Sequence, residues 1–227
     1  MKKVLFWDFD GTLVHPNERF VVTFLKAAHS CGVSIDIDRI RTCFRASYPW
    51  NHPEVEYPDR TGAMWWESFF EKIQVLYTEN QIPEQTACEI NCSFQEQMVN
   101  NNTYTIYEDT AQVLTQCKKM GYENYVLSNN YPELPLIIEK FGLSGLFSGY
   151  IVSANIGYEK PRAELFDYAL RTAGFPSCGY MIGDNPVADI LGGKAAGLKT
   201  ILVHRHDSDQ ADYTCDTLTQ ILGLLEP

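Results

Sequence analysis

The chain is poor in three things that would have pointed to familiar function classes. No apolar run approaches the roughly 18–20 residues needed to cross a bilayer, so no membrane partner is expected. Basic charge is scarce: 18 Lys and Arg face 29 Asp and Glu, for a net charge of −11. That argues against nucleic acid, whose phosphate backbone needs a basic stripe. Cysteine is present but unpaired in pattern, with seven residues scattered at positions 31, 43, 88, 92, 117, 178 and 215. Only Cys88 and Cys92 come close, at i, i+4, and no second pair or nearby histidine completes a zinc set. Free, mostly buried thiols in a reducing compartment are the expectation. Repeats and low-complexity tracts are absent. Met1-Lys2-Lys3 and the apolar residues 4–7 begin like a signal peptide. Asp8 and Asp10 interrupt them before a hydrophobic region of ~7 residues forms, and no small-residue cleavage site follows. A cytoplasmic protein is expected.

What is there is ordinary in bulk and specific in detail. With 45% hydrophobic and 21% charged residues, the composition is that of a globular protein. The 227 residues suit one large domain or a core with a smaller insert. The informative stretch is Asp8-Phe9-Asp10-Gly11-Thr12, which follows a short apolar run of strand length and ends in a turn. In open α/β sheets chemistry sits beyond the carboxyl ends of strands. Residues i and i+2 of an extended chain face one side, so Asp8 and Asp10 could share a site as nucleophile, metal ligand or general acid/base. The other reading is a strand ending in a solvated acidic turn.

From residue 109 onward, helix and strand patterns alternate. Helices are expected over 109–120, 132–141, 161–173, 186–196 and 214–225, most of them stopped by glycine. Strands are expected over 124–128, 150–153, 179–183 and 200–203. This alternation predicts a mostly parallel sheet covered on both faces, joined from a distance by the N-terminal strand. Residues 15–104 read otherwise: an amphipathic helix over 20–31, helices over 36–45 and 64–80, one or two more over 83–99, and no convincing strand. Turn-rich stretches at 15–17 and 100–103 mark its ends.

Four short motifs occur in order. Asp8-Phe9-Asp10-Gly11-Thr12 comes first and Tyr125-Val126-Leu127-Ser128-Asn129 second. Gly157-Tyr158-Glu159-Lys160-Pro161 is third, with Pro161 placed to open a helix at its first position. An apolar strand ending in Gly183-Asp184, with Asp189 five residues on, is fourth. Together they resemble the haloacid dehalogenase-like (HAD) hydrolase superfamily, over about residues 1–14 and 105–205. The resemblance implies a Rossmann-like α/β core (1–14 and 105–227) and a small all-helical cap (15–104).

It also implies roles that residue chemistry supports. Asp8 would be the nucleophile, forming an aspartyl-phosphate that water hydrolyses. Asp10 would protonate the leaving alcohol and then deprotonate the water. Mg2+ would be held by the Asp8 and Asp184 carboxylates and the Asp10 carbonyl, a hard-oxygen set. The alternative for Asp184 is a cap for the helix near Pro186. Ser128 and the Asn129 amide would bind phosphoryl oxygens, although a serine at a strand end is otherwise a turn residue. Lys160 would pair with Asp8 and the phosphoryl group, although a lysine before proline is otherwise solvated. Asp189 is expected behind these residues, reaching the metal through water or only fixing Lys160.

Substrate choice would be read in residues 45–66, where Tyr48, Trp50, His52, Tyr57, Trp65 and Trp66 interleave with Arg45 and Arg60. A lid needs apolar walls and a few cations, yet Trp65, Trp66, Phe69 and Phe70 fit the interior of the helical segment better. His15 would line the mouth of the site or serve as a hinge, and His204-Arg205-His206 reads as a loop. The expected activity is a magnesium-dependent phosphatase acting on a small phosphorylated metabolite. Oligomeric state is not set by these features. A dehalogenase would need neither Asp10 nor magnesium, and a phosphonatase would need a cap lysine, for which Lys26 and Lys72 lie in no telling context. A sugar-phosphate mutase would keep all four motifs. A catalytically silent binding protein on the fold would be expected to lose one of Asp8, Asp10, Lys160 or Asp184.

Overall fold

A computed structural model describes residues 2–100, 104–206 and 209–226. The order of elements is β1 (Lys3–Trp7), α1 (Arg19–Ser30), α2 (Ile37–Ser47), α3 (Ala63–Glu79), α4 (Glu84–Asn100), α5 (Thr110–Lys119) and β2 (Tyr122–Ser128). There follow α6 (Leu134–Lys140), β3 (Gly149–Val152), α7 (Ser153–Ile156), α8 (Ala163–Thr172), β4 (Cys178–Gly183), α9 (Gly192–Ala195), β5 (Lys199–Val203) and β6 (Tyr213–Cys215). The six strands form one parallel sheet in the order β3-β2-β1-β4-β5-β6. This is the expected Rossmann-like sheet, and β1 sits at its centre although its neighbours lie far along the chain.

The period of two in the strands divides the interior. Val4 and Phe6 point with Leu127 and Met181 into a layer closed by Leu165, Phe166 and Ala169 of α8. Leu5 and Trp7 point the other way, with Val126 and Ile182, into a layer that includes α5 and α6. That second layer runs on without a break into α1–α4, through Phe24, Phe44, Trp66 and Phe94. Trp7 Nε1 donates to the buried Asn124 at 3.0 Å, and Asn124 in turn donates to the carbonyls of Leu114 and Leu146. A buried amide satisfied this fully fixes the register of β1 on β2.

Several sequence expectations change. Residues 214–225 are not one helix: β6 (from Tyr213) extends the sheet beside β5, and a 3₁₀ segment follows (Leu218–Gly223). Leu218 and Ile221 are buried three residues apart, the spacing at which a 3₁₀ turn aligns side chains. Pro161 does not open α8. The Lys160–Pro161 bond is cis, Arg162 is extended, and the helix begins at Ala163. The Arg162 amide closes a turn onto the Glu159 carbonyl at 2.9 Å, so proline sits inside a turn rather than starting a helix. The thiols are not mostly buried: only Cys117 and Cys215 are, while Cys88 and Cys92 are exposed. The i, i+4 spacing puts that pair outside on α4, opposite Ala87, Ile90, Phe94 and Met98. The turn expected at 100–103 falls largely on 101–103, outside the described residues. Among the described residues, no helix is long and apolar enough to cross a membrane.

Candidate active site

The carboxyl ends of β1, β2 and β4, adjacent in the sheet, deliver Asp8, Ser128 and Asp184 to one edge. This is the point in an open α/β sheet where a crevice forms. A cavity of about 360 Å³ lies there, lined by Asp8, Asp10, Asn129, Lys160, Asp184 and Asp189, among others. Residues spread from position 8 to 189 thus share one space.

Lys160 is the hub. It is 2% exposed, and its ammonium donates to Asp8 Oδ1 (2.8 Å), Asp189 Oδ1 (2.6 Å) and the Leu127 carbonyl (2.8 Å). Three donors meet three acceptors, which satisfies the group completely. Burial works against its charge, but the Asp189 and Asp8 carboxylates outweigh burial and hold its pKa above the usual lysine range. The Asn129 side chain clasps its backbone from both sides: Oδ1 accepts from the Lys160 amide (2.7 Å) and Nδ2 donates to its carbonyl (3.0 Å).

Asp189 is fully buried and uses both oxygens, one on Lys160 and one on the Asn185 amide at 3.0 Å. Burial raises its pKa, with Lys160 pulling the other way. A Cβ at Gly183 would come within 2.1 Å of Asp189 Oδ2, so glycine is what lets this carboxylate pass behind β4. The helical segment Pro186–Leu191, which follows Asp184 and leads into α9, is capped not by Asp184 but by Asn185, whose Oδ1 accepts from the Val187 and Ala188 amides. The Asp184 carboxylate is thereby left to face the cavity. It packs against Gly11, where φ is +78° and a Cβ would meet Asp184 Oδ2 at 2.5 Å.

The electrostatics are those of crowded acids. Burial first, then the Asp8 and Asp189 charges, push Asp184 up to about 7. Burial and the Asp8 charge push Asp10 up to about 6, against Arg19, Asn130 and Lys160. Asp8, Asp184 and Asp189 each offer an oxygen within 4.8 Å of the others'. An all-oxygen set of this kind fits a hard divalent cation such as Mg2+. The raised Asp184 value also means that the cavity disfavours further negative charge unless a cation enters. Ser128 Oγ is buried with no hydrogen-bond partner among the described residues. Such a hydroxyl is costly to leave unpaired and well suited to a polar ligand.

Several site residues were not anticipated. Asn130 Nδ2 donates to Asp10 Oδ2 at 2.7 Å. Arg19, 5% exposed, lines the cavity from the first turn of α1 and donates to the Tyr131 hydroxyl (2.6 Å) and the Met98 carbonyl (2.7 Å). Its guanidinium also lies 3.9 Å from the centre of the Tyr104 ring. The signal was available, since Arg19 falls on the same helical stripe as Thr23 and Ala27. Glu159, beside Lys160, is wholly buried, and the Tyr57 hydroxyl donates to it. Burial raises Glu159 to about 7, with the Tyr57 bond opposing.

The arginines singled out in residues 45–66 lie elsewhere. Arg60 pairs with Glu71 on the outer face of α3, with Nη2 to Oε1 at 2.9 Å. Arg45 is exposed on α2 and borders a separate hollow with Thr42, Ala46, Asn51 and His52. Neither lines the cavity that holds Asp8. The His15 ring lies tilted against Tyr107 at 3.8 Å, and Tyr107 stacks on His204 at 3.9 Å, so His15 is tied to the loop after β5.

Comparison with known proteins agrees with this geometry. The pyrimidine 5′-nucleotidase YjjG of Escherichia coli is 36% identical over 97 residues, 41% of this chain and 43% of that protein. The phosphoserine phosphatase of Thermus thermophilus is 28% identical over 89% of each chain. Among solved structures, the HAD-hydrolase YfnB from Bacillus subtilis bound to magnesium matches with a TM-score of 0.75, at 17% identity, over 100% of this chain and 99% of that one. A family model described as haloacid dehalogenase-like hydrolase matches residues 2–197. The chain therefore belongs to the haloacid dehalogenase-like hydrolases.

Proposed function

We propose that the protein is a magnesium-dependent phosphatase that hydrolyses a small phosphorylated substrate through an aspartyl-phosphate. The observation that carries this reading is the buried 2.8 Å pair between Lys160 and Asp8, set beside Asp10 and Asp184 in one cavity. The names of the phosphoserine phosphatase and the nucleotidase cited above support a phosphate ester as the substrate.

An Asp8 carboxylate oxygen attacks phosphorus, the bond to the leaving oxygen breaks, and Asp10 supplies that oxygen with a proton. The value of about 6 brings the Asp10 carboxyl close enough to neutral pH that it can both give up and take back a proton, which an ordinary carboxyl could not do as readily. Asn130 holds one oxygen of Asp10 and so aims the other. Asp10 then takes a proton from the water that cleaves the acyl-phosphate. Ser128 Oγ and the Asn129 amide donate to phosphoryl oxygens, and Lys160 balances charge on the group in flight. Asp8, Asp184 and the Asp10 carbonyl would hold Mg2+, which would neutralise phosphoryl charge when bound. Asp189 positions Lys160 rather than meeting the phosphate, because both of its oxygens are already engaged.

In this reading α1–α4 act as a cap (residues 15–104) over a core formed by 1–14 and 105–227, and the cap supplies the far wall of the cavity. A dehalogenase reading would leave Asp10 and its Asn130 bond without a task. The test is Asp8→Asn, which keeps side-chain volume and removes the nucleophile. Turnover of a generic aryl phosphate should fall to background with the fold intact by circular dichroism. Near wild-type turnover by that variant would overturn the mechanism.

A further inference from the structure

The cavity has two walls of different chemistry. One is the cluster of carboxylates, amides and Lys160 described above. The other comes from α1 and the turn after α2, and presents Phe20, Tyr48 and Trp50. Tyr48 and Trp50 stack at 4.5 Å with 18° between their planes, and Phe20 meets them edge-on at 5.3 and 5.6 Å. A second rank of rings stands behind them: Tyr48 stacks on Phe69 at 6.0 Å, Trp50 on Trp65 at 6.4 Å, and Phe20 on Trp66 at 6.4 Å. Trp65, Trp66 and Phe69 are each 1% exposed, so the backing is packed interior. Phe20, Tyr48 and Trp50 are only partly buried. The wall is stiff and aromatic.

The polar groups on that side are largely committed. Asn17 Oδ1 accepts from the Arg19 amide at 3.0 Å, and Asn51 Nδ2 donates to the Arg45 carbonyl at 2.8 Å. Both Glu18 oxygens accept from Arg41, at 3.0 and 2.7 Å. Both terminal nitrogens of Arg19 donate, to Tyr131 and to Met98. A leaving group rich in hydroxyls would lose water here and regain few hydrogen bonds. A buried polar group left unpaired weakens binding. A flat ring would lose less of that kind and would gain aromatic contacts beyond its buried area.

Resting on the phosphatase reading above, we propose that this wall selects phosphomonoesters whose leaving group carries a planar aromatic or heteroaromatic ring. Trp50 and Phe20 are its specificity-determining residues.

The test uses the full chain with magnesium and substrate pairs matched at the leaving oxygen. Benzyl phosphate is compared with cyclohexylmethyl phosphate, and uridine monophosphate with ribose phosphate. The first pair tests a ring next to the phosphate, the second a ring held one sugar away. The aromatic member of at least one pair should have kcat/KM about tenfold higher, which is ~1.4 kcal/mol of discrimination. Trp50→Ala should collapse that ratio towards one, and Trp50→Leu, which keeps more volume, should do the same if the smaller side chain unsettles the fold. Equal kcat/KM within both pairs, or a ratio untouched in the tryptophan variants, would overturn the proposal while leaving the phosphatase reading in place. If no ester turns over, it is the phosphatase reading that fails. The wall is then still decided by calorimetry with benzylphosphonate against cyclohexylmethylphosphonate, whose binding needs no chemistry.

Discussion

Asn130 Nδ2 lies 2.7 Å from Asp10 Oδ2, which makes the residue after the second motif a holder for the second carboxylate of the first. With one oxygen fixed in this way, Asp10 can present the other to a leaving group. Asp10→Asn should therefore cost most where the leaving group needs a proton. On alkyl phosphates kcat should fall by about 10²–10⁴, and on nitrophenyl phosphate, whose leaving group departs as an anion, by far less. Equal losses on both would remove Asp10 from the role of general acid.

Lys160 ties chemistry to stability. Lys160→Met should abolish turnover on every phosphoester and lower stability by about 3–5 kcal/mol, because Asp189 and Asp8 lose the cation that compensates them. Adding Asp189→Asn should recover part of the melting temperature and none of the activity. Recovery of activity in the double variant would mean that Lys160 serves the fold alone.

Much of this site was legible because its residues sit at strand ends and turns, where the local pattern is strong. The apolar run before Asp8 and the strands before Ser128 and Asp184 announce themselves within a few residues. The sequence does not carry what depends on contacts between distant segments. Nothing near Asn129 says that its amide will clasp the Lys160 backbone, and nothing near Tyr57 says that its hydroxyl will reach Glu159. Aromatic density in residues 45–66 was visible, but which rings face the cavity and which form the interior is decided by the packing of α1 against α2–α4. Arg45 and Arg60 drew notice for standing among aromatics. Arg19 escaped it, although a cation on the buried stripe of an amphipathic helix is the more telling signal.

Asp184 gives a test of the cation site that needs no turnover. Its pKa is raised to about 7, so its stabilising contribution is complete below the ordinary carboxylate range and is lost as pH rises through 7. At pH 8 the ionised group strains the metal-free protein, and Asp184→Asn should raise the melting temperature there in the presence of a chelator. Magnesium should raise the melting temperature of the wild type by mass action and leave that of the variant nearly unchanged. An equal magnesium shift in both proteins would place the cation elsewhere.

Glu159 supplies the last prediction, and the sign follows from the direction of its shift. Burial lifts its pKa from 4.5 to about 7, against the opposing Tyr57 bond. Between those values the folded chain holds a proton that the unfolded chain has released, so stability falls as pH rises across that window and levels off above it. A shift of this size corresponds to roughly 3 kcal/mol. Glu159→Gln keeps the shape and cannot ionise, so it should flatten the pH dependence of unfolding between about pH 4.5 and 7. The variant should therefore gain most, relative to the wild type, above pH 7. The measurement is urea unfolding at steps of pH for both proteins. A difference in free energy that stays constant from pH 5 to 8 would show that Glu159 is ionised in the fold as it is in the unfolded chain, so that burial does not raise its pKa.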